Sequence, residues 1–307
     1  MVTGSDWITW SGVAVLLIGL LYAAVADWRT REVTDTLWVL LGAVGTVLGL
    51  LAVLGEGWVA IGLWVLVAAL VLEHLLPWDV SVEKVHPSLA GVLELVIYGV
   101  SFGILVFAGL TWGIGPTGLS IPVIAVFVTV VLARLLFETG VLYGGADAKA
   151  LMVAGLLVPV LSATVVPLTG NAAQALDVFP FSITLLMNAA LLALAIPVAL
   201  AVRNARAHEF EWPRGFTGYK IPVEELPRRF VWLRDPTFSR ELTAEEKAVE
   251  TAEEDQALRV RQMEELRAQG VTRVWVTPQI PFVILLAAGA FASVLFGNLL
   301  FDLLSAL

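Results

Sequence analysis

Five carboxylates stand where this chain is otherwise apolar: Asp27, Glu73, Glu94, Glu138 and Asp147. Each borders or interrupts a long uncharged run. An ionisable side chain in or at the edge of hydrocarbon is costly, so each is a functional candidate by default. Two aspartates at matching depth on separate helices have a chemistry open to them. One ionised carboxylate activates water and one protonated carboxyl polarises a scissile carbonyl, and two such groups placed close together must share a proton. Asp27 lies in Ala26-Asp27-Trp28-Arg29-Thr30-Arg31, and Asp147 in Gly144-Gly145-Ala146-Asp147-Ala148-Lys149. The small Gly144, Gly145 and Ala146 would let a peptide backbone approach Asp147, or would permit an unusual turn.

A purely structural reading stands beside this one. Asp27 is then an interfacial carboxylate paired with Arg29 or Arg31, and Asp147 a helix N-cap. Glu94 and Glu138 read as acceptors for Arg134, as partners of each other or as the lining of a substrate entrance, with Glu138 also able to meet a basic substrate. Glu73 and His74 read as an interfacial pair, and Lys149 as a side chain snorkelling to headgroups. Other hydrolytic centres lack their parts. The chain has no cysteine and three histidines, and Glu73-His74 is not part of an H-E-x-x-H zinc motif. No metal or cofactor is expected.

The elements that must carry these residues follow from composition. Of 307 residues, 59% are hydrophobic and 15% charged, and the mean hydropathy is +0.88. This is well beyond a globular soluble domain, and it excludes a soluble enzyme, a disordered chain and a nucleic-acid binder. A bilayer crossing takes roughly 20 apolar residues. Uncharged or nearly uncharged runs cover 7–26, 36–55, 57–76, 95–133 (broken by turn residues within Thr111–Ser120), 150–176, 178–202 and 274–301. The fold class expected is an all-α polytopic membrane protein of about eight transmembrane helices. All 18 Lys and Arg residues fall in or beside four segments: 27–36, 77–89, 138–149 and 203–274. The positive-inside rule then puts those segments in the cytoplasm and both termini outside. Three parts result: a seven-helix membrane domain over 1–202, a charged cytoplasmic segment over 203–274, and a last transmembrane helix within 275–307. In the cytoplasmic segment Thr243-Ala-Glu-Glu246 reads as a capping box and Gly270 as a helix stop. The charged helix between them has a thin apolar stripe of Val249, Ala252, Val260 and Met263. On this topology every one of the five carboxylates lies at the inner membrane boundary.

The two aspartate motifs resemble those of the type IV prepilin peptidases, which include the archaeal preflagellin (archaellin) peptidases. Asp27, Arg29 and Arg31 match a first motif Asp-x-Arg-x-Arg. Gly144 to Lys149 match a second, G-x-G-D-x-K, with Ala146 in place of its second glycine. Phe216-Thr-Gly-Tyr-Lys-Ile-Pro222 and Trp275-Val-Thr-Pro-Gln-Ile-Pro-Phe282 also look like archaeal members. The resemblance implies an intramembrane aspartic endopeptidase of the cell membrane. Such an enzyme removes the short basic leader of class III signal-peptide substrates (prepilins, preflagellins) at the cytoplasmic face. Asp27 and Asp147 would be catalytic, Lys149 would orient substrate, and Gly144, Gly145, Ala146, Arg29 and Glu138 would shape the site. With no cysteine tetrad, N-methyltransferase activity is not expected.

Two rivals come from other classes. A proton-coupled carrier would distribute polar groups through the bilayer midplane, whereas here the midplane positions are almost wholly apolar. A scaffold for a pilus machine would act through the 203–274 segment. On helix dipoles alone, Asp147 at a helix start carries the charge and Asp27 at a helix end holds the shared proton, each effect worth roughly 0.3–1 kcal/mol.

Overall fold

A computed structural model describes residues 6–76, 87–115, 118–142, 144–161, 179–234 and 252–305. The chain divides into two units. One comprises residues up to Asp27, Val33–Ala190 and Phe282 onward; the other comprises Trp28–Glu32 and Leu191–Pro281.

The first unit is a helical bundle of α1 (Asp6–Thr30, whose last residues belong to the second unit), α2 (Asp35–Val53), α3 (Trp58–Leu75), α4 (Pro87–Trp112), α5 (Ile121–Glu138), α6 (Gly145–Leu157), α7 (Phe181–Ala193, of which Leu191 onward belongs to the second unit), α10 (Phe282–Phe296) and α11 (Leu299–Ser305). Its centre is α6, in which ten of 13 residues are buried. A helix apolar on every side belongs inside a bundle, and α2, α3, α5 and α10 pack around it. Glycines set the close approaches. A Cβ on Gly12 would lie 2.3 Å from the Leu157 carbonyl oxygen, and one on Gly45 would lie 3.1–3.2 Å from Leu156 and the following amide. Helices in lipid lack a hydrophobic drive toward one another and associate by such small-residue packing, helped by hydrogen bonds. Those bonds are present: the Trp64 indole donates to the Thr46 carbonyl at 3.1 Å, and the Thr129 and Ser182 hydroxyls lie 2.6 Å apart. By contrast, α4 turns Val92, Leu95, Phe107 and Leu110 outward, as a lipid-facing helix does.

Among the described residues, six helices are long and apolar enough to cross a membrane, or seven if a bent pair counts as one span. The architecture is that of a helical membrane protein. The break expected within Thr111–Ser120 is there: α4 stops at Trp112, Gly113 adopts φ +77°, and α5 starts with Pro122 near its N-terminus. Two expected spans take another form. In place of 150–176, helix α6 begins at Gly145 and ends at Leu157, with residues 162–178 outside the described set. In place of a helix from 274, residues Arg273–Pro278 form a strand. Helix α10 follows and bends by 55° into α11. Gly297 turns the chain with φ +78°, and the Asn298 carboxamide oxygen accepts the Leu300 and Phe301 amides, capping α11.

The second unit corrects the all-α expectation. Helix α8 (Ala195–Arg206) leads into β1 (Tyr219–Pro222), β2 (Val231–Leu233), α9 (Ala252–Ala268) and β3 (Arg273–Pro278). The sheet is antiparallel with β3 central, pairing Tyr219 with Val276 on one side and Val231 with Pro278 on the other. Ile221, Val223, Leu226, Val231, Leu266, Val274 and Val276 form its core. Gly218 has no room for a side chain, since a Cβ would lie 2.5 Å from the Val276 oxygen. The buried Asn204 amide donates to the Gly215 and Gly218 carbonyls and fastens the loop to α8. Helix α9 contributes to this core: Leu266 is fully buried and Met263 packs beside it. Gly270 ends the helical segment with φ +76°. The expected capping box and Val249 lie outside the described residues.

Candidate active site

Asp27 occupies the last turn of α1 and is half-buried. Asp147 occupies the first turn of α6 and is only 8% exposed. The charge of Asp27, at the C-terminal end of α1, bears on the Asp147 carboxyl at the N-terminal end of α6, both within the first unit. Asp147 lies outside the six spans. Burial, first, and the Asp27 charge, second, raise its pKa from 3.8 to about 7, while a hydrogen bond with the Gly144 backbone works the other way. This reverses the assignment made from helix dipoles. The rise corresponds to about 4 kcal/mol at ~1.36 kcal/mol per pKa unit, several times the dipole effect of roughly 0.3–1 kcal/mol. Burial thus favours the protonated form of Asp147.

Local geometry explains the small residues unevenly. Gly144 has φ −96° and ψ 126°, an ordinary extended conformation, so no unusual turn is needed. Its requirement is steric: a Cβ there would lie 2.8 Å from Asp147 Oδ2. Gly145 is exposed, and a Cβ would meet nothing nearer than a Phe137 ring carbon at 4.0 Å. Ala146 is helical and packs against the main core, so alanine in place of glycine creates no conflict with the backbone here.

Lys149 does not reach for headgroups. Its Nζ lies 2.5 Å from Asp35 Oδ1, joining the start of α6 to the start of α2. Asp35 did not stand out in the sequence; its only signal is its position as the first residue of a helix after an extended Val33-Thr34. Arg29 is exposed in the last turn of α1. Arg31 lies over the Phe230 ring, 4.6 Å from its centroid.

The remaining carboxylates form a separate polar cluster at the ends of α3, α4 and α5. Arg134 is held by Glu94 at 2.9 and 3.0 Å and by Glu138 at 2.8 Å. His74 contacts Glu73 at 3.5 Å and the Tyr98 hydroxyl at 2.5 Å. These are the pairings expected of structural residues. Among the described residues no group of three or more His, Cys, Asp or Glu could hold a metal ion.

A cavity of about 400 Å³ lies at the opposite ends of these helices, lined by Thr9, Gly49, Trp64, Ser120 and Leu157 among others. It contains neither aspartate, and the chemistry argued from the carboxylates does not involve it.

No curated protein matches the chain. Residues 214–299 match the family model described as archaeal peptidase A24 C-terminus, type II. That match takes in β1 to β3 and α10 but neither aspartate. It supports the relationship to the prepilin and preflagellin peptidases that the two aspartate motifs at the other end of the chain suggest.

Proposed function

We propose that the protein is a membrane-embedded aspartic endopeptidase that removes the basic leader from prepilin-like or preflagellin precursors at the cytoplasmic face. The observation that carries this reading is the charge of Asp27 bearing on Asp147, a buried carboxyl on a different helix. The family match supports a peptidase independently of that pair.

The chemistry follows from the pair. Asp27 takes a proton from a water molecule as the water oxygen attacks the scissile carbonyl carbon. Asp147, holding the shared proton, donates to the carbonyl oxygen and stabilises the developing negative charge. Collapse of the tetrahedral intermediate breaks the C–N bond, and the proton taken by Asp27 passes to the leaving amine. Two products leave, a new carboxylate on the leader and a new amino terminus on the mature chain. Gly144 keeps space beside the Asp147 carboxyl, and Gly145 leaves an open edge along which an extended substrate can lie. Lys149, neutralised by Asp35, fixes the first turn of α6.

The chain would cross the cell membrane several times with both termini outside, because its basic residues cluster on one side. A tag placed near residue 250 should resist an impermeant reagent in intact cells, and one near residue 5 should not. The functional test is co-expression with a tagged prepilin. Wild type should shorten it by the leader, and Asp27→Asn and Asp147→Asn should each leave it full length while accumulating normally. Processing by either variant at the wild-type rate would overturn the assignment.

A further inference from the structure

Helix α8 runs into an aromatic cluster, and both lie within the second unit. Leu194, Val198 and Val202 are spaced four residues apart, so they share one face of the helix, and all three are exposed. This helix completes the candidate membrane span Phe181–Arg206, so an exposed apolar face on it is a face for lipid. Arg206 takes the next place in the series. There a long stem can lie along hydrocarbon while its guanidinium reaches the headgroups. Trp212 follows six residues after Arg206. It is 79% exposed, yet its ring is held. It sits edge-on to Phe216 at 5.4 Å, and Phe216 sits edge-on to Phe210 at 5.3 Å. Phe210 in turn covers Gly215, where a Cβ would lie 2.5 Å from the Phe210 ring. The loop is tied to the last turn of α8, because the Asn204 amide donates to the Gly215 and Gly218 carbonyls at 2.9 and 2.7 Å. The cluster is therefore fixed to the end of a lipid-facing helix.

Charge on this stretch has a sign. From Arg203 to Lys220 the chain carries four Lys and Arg residues against two Glu. Both acids are engaged: Glu209 pairs with Arg273, and Glu211 with Lys220 at 2.8 Å. Arg206 and Arg214 are exposed, and Arg214 approaches Glu211 only to 3.9 Å.

We infer that the loop Phe210–Phe216 is an interfacial anchor for the second unit. Trp212 enters the headgroup layer at the end of α8, and Arg206 and Arg214 meet the phosphates of anionic lipids there. An indole has an apolar body and a polar N–H, which suits it to the boundary between hydrocarbon and water. Basic side chains beside a membrane are drawn to anionic headgroups. The occupant is a lipid surface because the lipid-facing stripe of α8 leads directly to the loop and the surplus charge complements phosphate. This inference needs only a helical membrane protein and is independent of the peptidase reading.

The test uses the full chain, with 5-fluorotryptophan at its 11 tryptophans, in vesicles of phosphatidylcholine and phosphatidylglycerol. The fluorine signal missing from Trp212→Phe identifies Trp212 in the otherwise natural chain. A lipid spin-labelled near its headgroup should broaden that signal more strongly than a water-soluble gadolinium chelate present on both faces. Loss of the signal to the chelate, with survival beside the labelled lipid, would overturn the inference. A signal indifferent to both probes would indicate a contact between copies of the chain and would overturn it as well. The signal should also shift when phosphatidylglycerol is mixed into pure phosphatidylcholine, and this shift should vanish with Arg206→Gln and Arg214→Gln combined. A shift of unchanged size in that double variant would remove the two arginines from the anchor.

Discussion

Replacing Asp147 by Asn should make the protein more stable at neutral pH while removing its activity. The folded protein holds the Asp147 proton up to about pH 7, whereas its ordinary pKa is 3.8. Between these values the folded state carries a proton that the unfolded state has released. Stability therefore falls as pH rises through this window, by ~1.36 kcal/mol per pH unit. The contribution is fully present below about pH 4 and lost above about pH 7. It totals about 4 kcal/mol, an upper figure because part of it depends on the charge of Asp27. Asparagine cannot ionise, so the variant escapes the loss. Thermal unfolding of wild type and Asp147→Asn, measured in the same detergent from pH 4 to 8, reads this residue with its coupling to Asp27, since every carboxylate not coupled to it cancels in the difference. The two curves should be close near pH 4 and diverge as pH rises, with the variant melting higher at pH 7.5 by about 8 °C, taking ~2 °C per kcal/mol for a chain of this size. A difference that stays constant over the whole range would refute the claim that burial holds a proton on Asp147.

Activity should mirror the same titration: leader cleavage should fall above about pH 7 as the shared proton is lost, to about one-tenth of its plateau one pH unit higher, checked by a rate profile on a tagged prepilin. Gly144→Ala should reduce kcat by on the order of 100-fold, because its Cβ would displace the Asp147 carboxylate. Gly145→Ala should fold normally, and thermal melts of the two variants separate misfolding from misplacement. Lys149→Met and Asp35→Asn should each cost about 1 kcal/mol of stability, and the double variant should cost little more than either, as a double-mutant cycle will show.

The legible parts of the fold and the opaque parts divide on a physical line. Asp27 and Asp147 announce themselves because a carboxylate beside hydrocarbon is costly, and the break between α4 and α5 shows in Gly113, Gly115, Pro116 and Gly118. Each of these signals is local. Strand β3 was hidden because Val274-Trp275-Val276 reads equally well as the start of an apolar helix. Its identity depends on partners at Tyr219–Pro222 and Val231–Leu233, tens of residues away. The pairing of Lys149 with Asp35 was hidden for the same reason, because 114 residues separate the two. Arg134 between Glu94 and Glu138 was half visible: the i,i+4 pair can be read from spacing, while the Arg134 partnership of Glu94 was one of three alternatives. The proton's place on Asp147 could not be read at all. The helix-dipole argument needs only position in the helix, whereas the larger effect needs the burial that the surrounding helices create.

The central claim is that Asp27 and Asp147 together hydrolyse the leader bond. Its most direct test is purified protein reconstituted in lipid, incubated with a full-length tagged prepilin, with both fragments weighed by mass spectrometry. Wild type should give a leader fragment and a mature chain whose masses sum to the substrate plus one water, and neither Asp27→Asn nor Asp147→Asn should give them. Cleavage at the same bond by either variant, at a rate near wild type, would contradict the account.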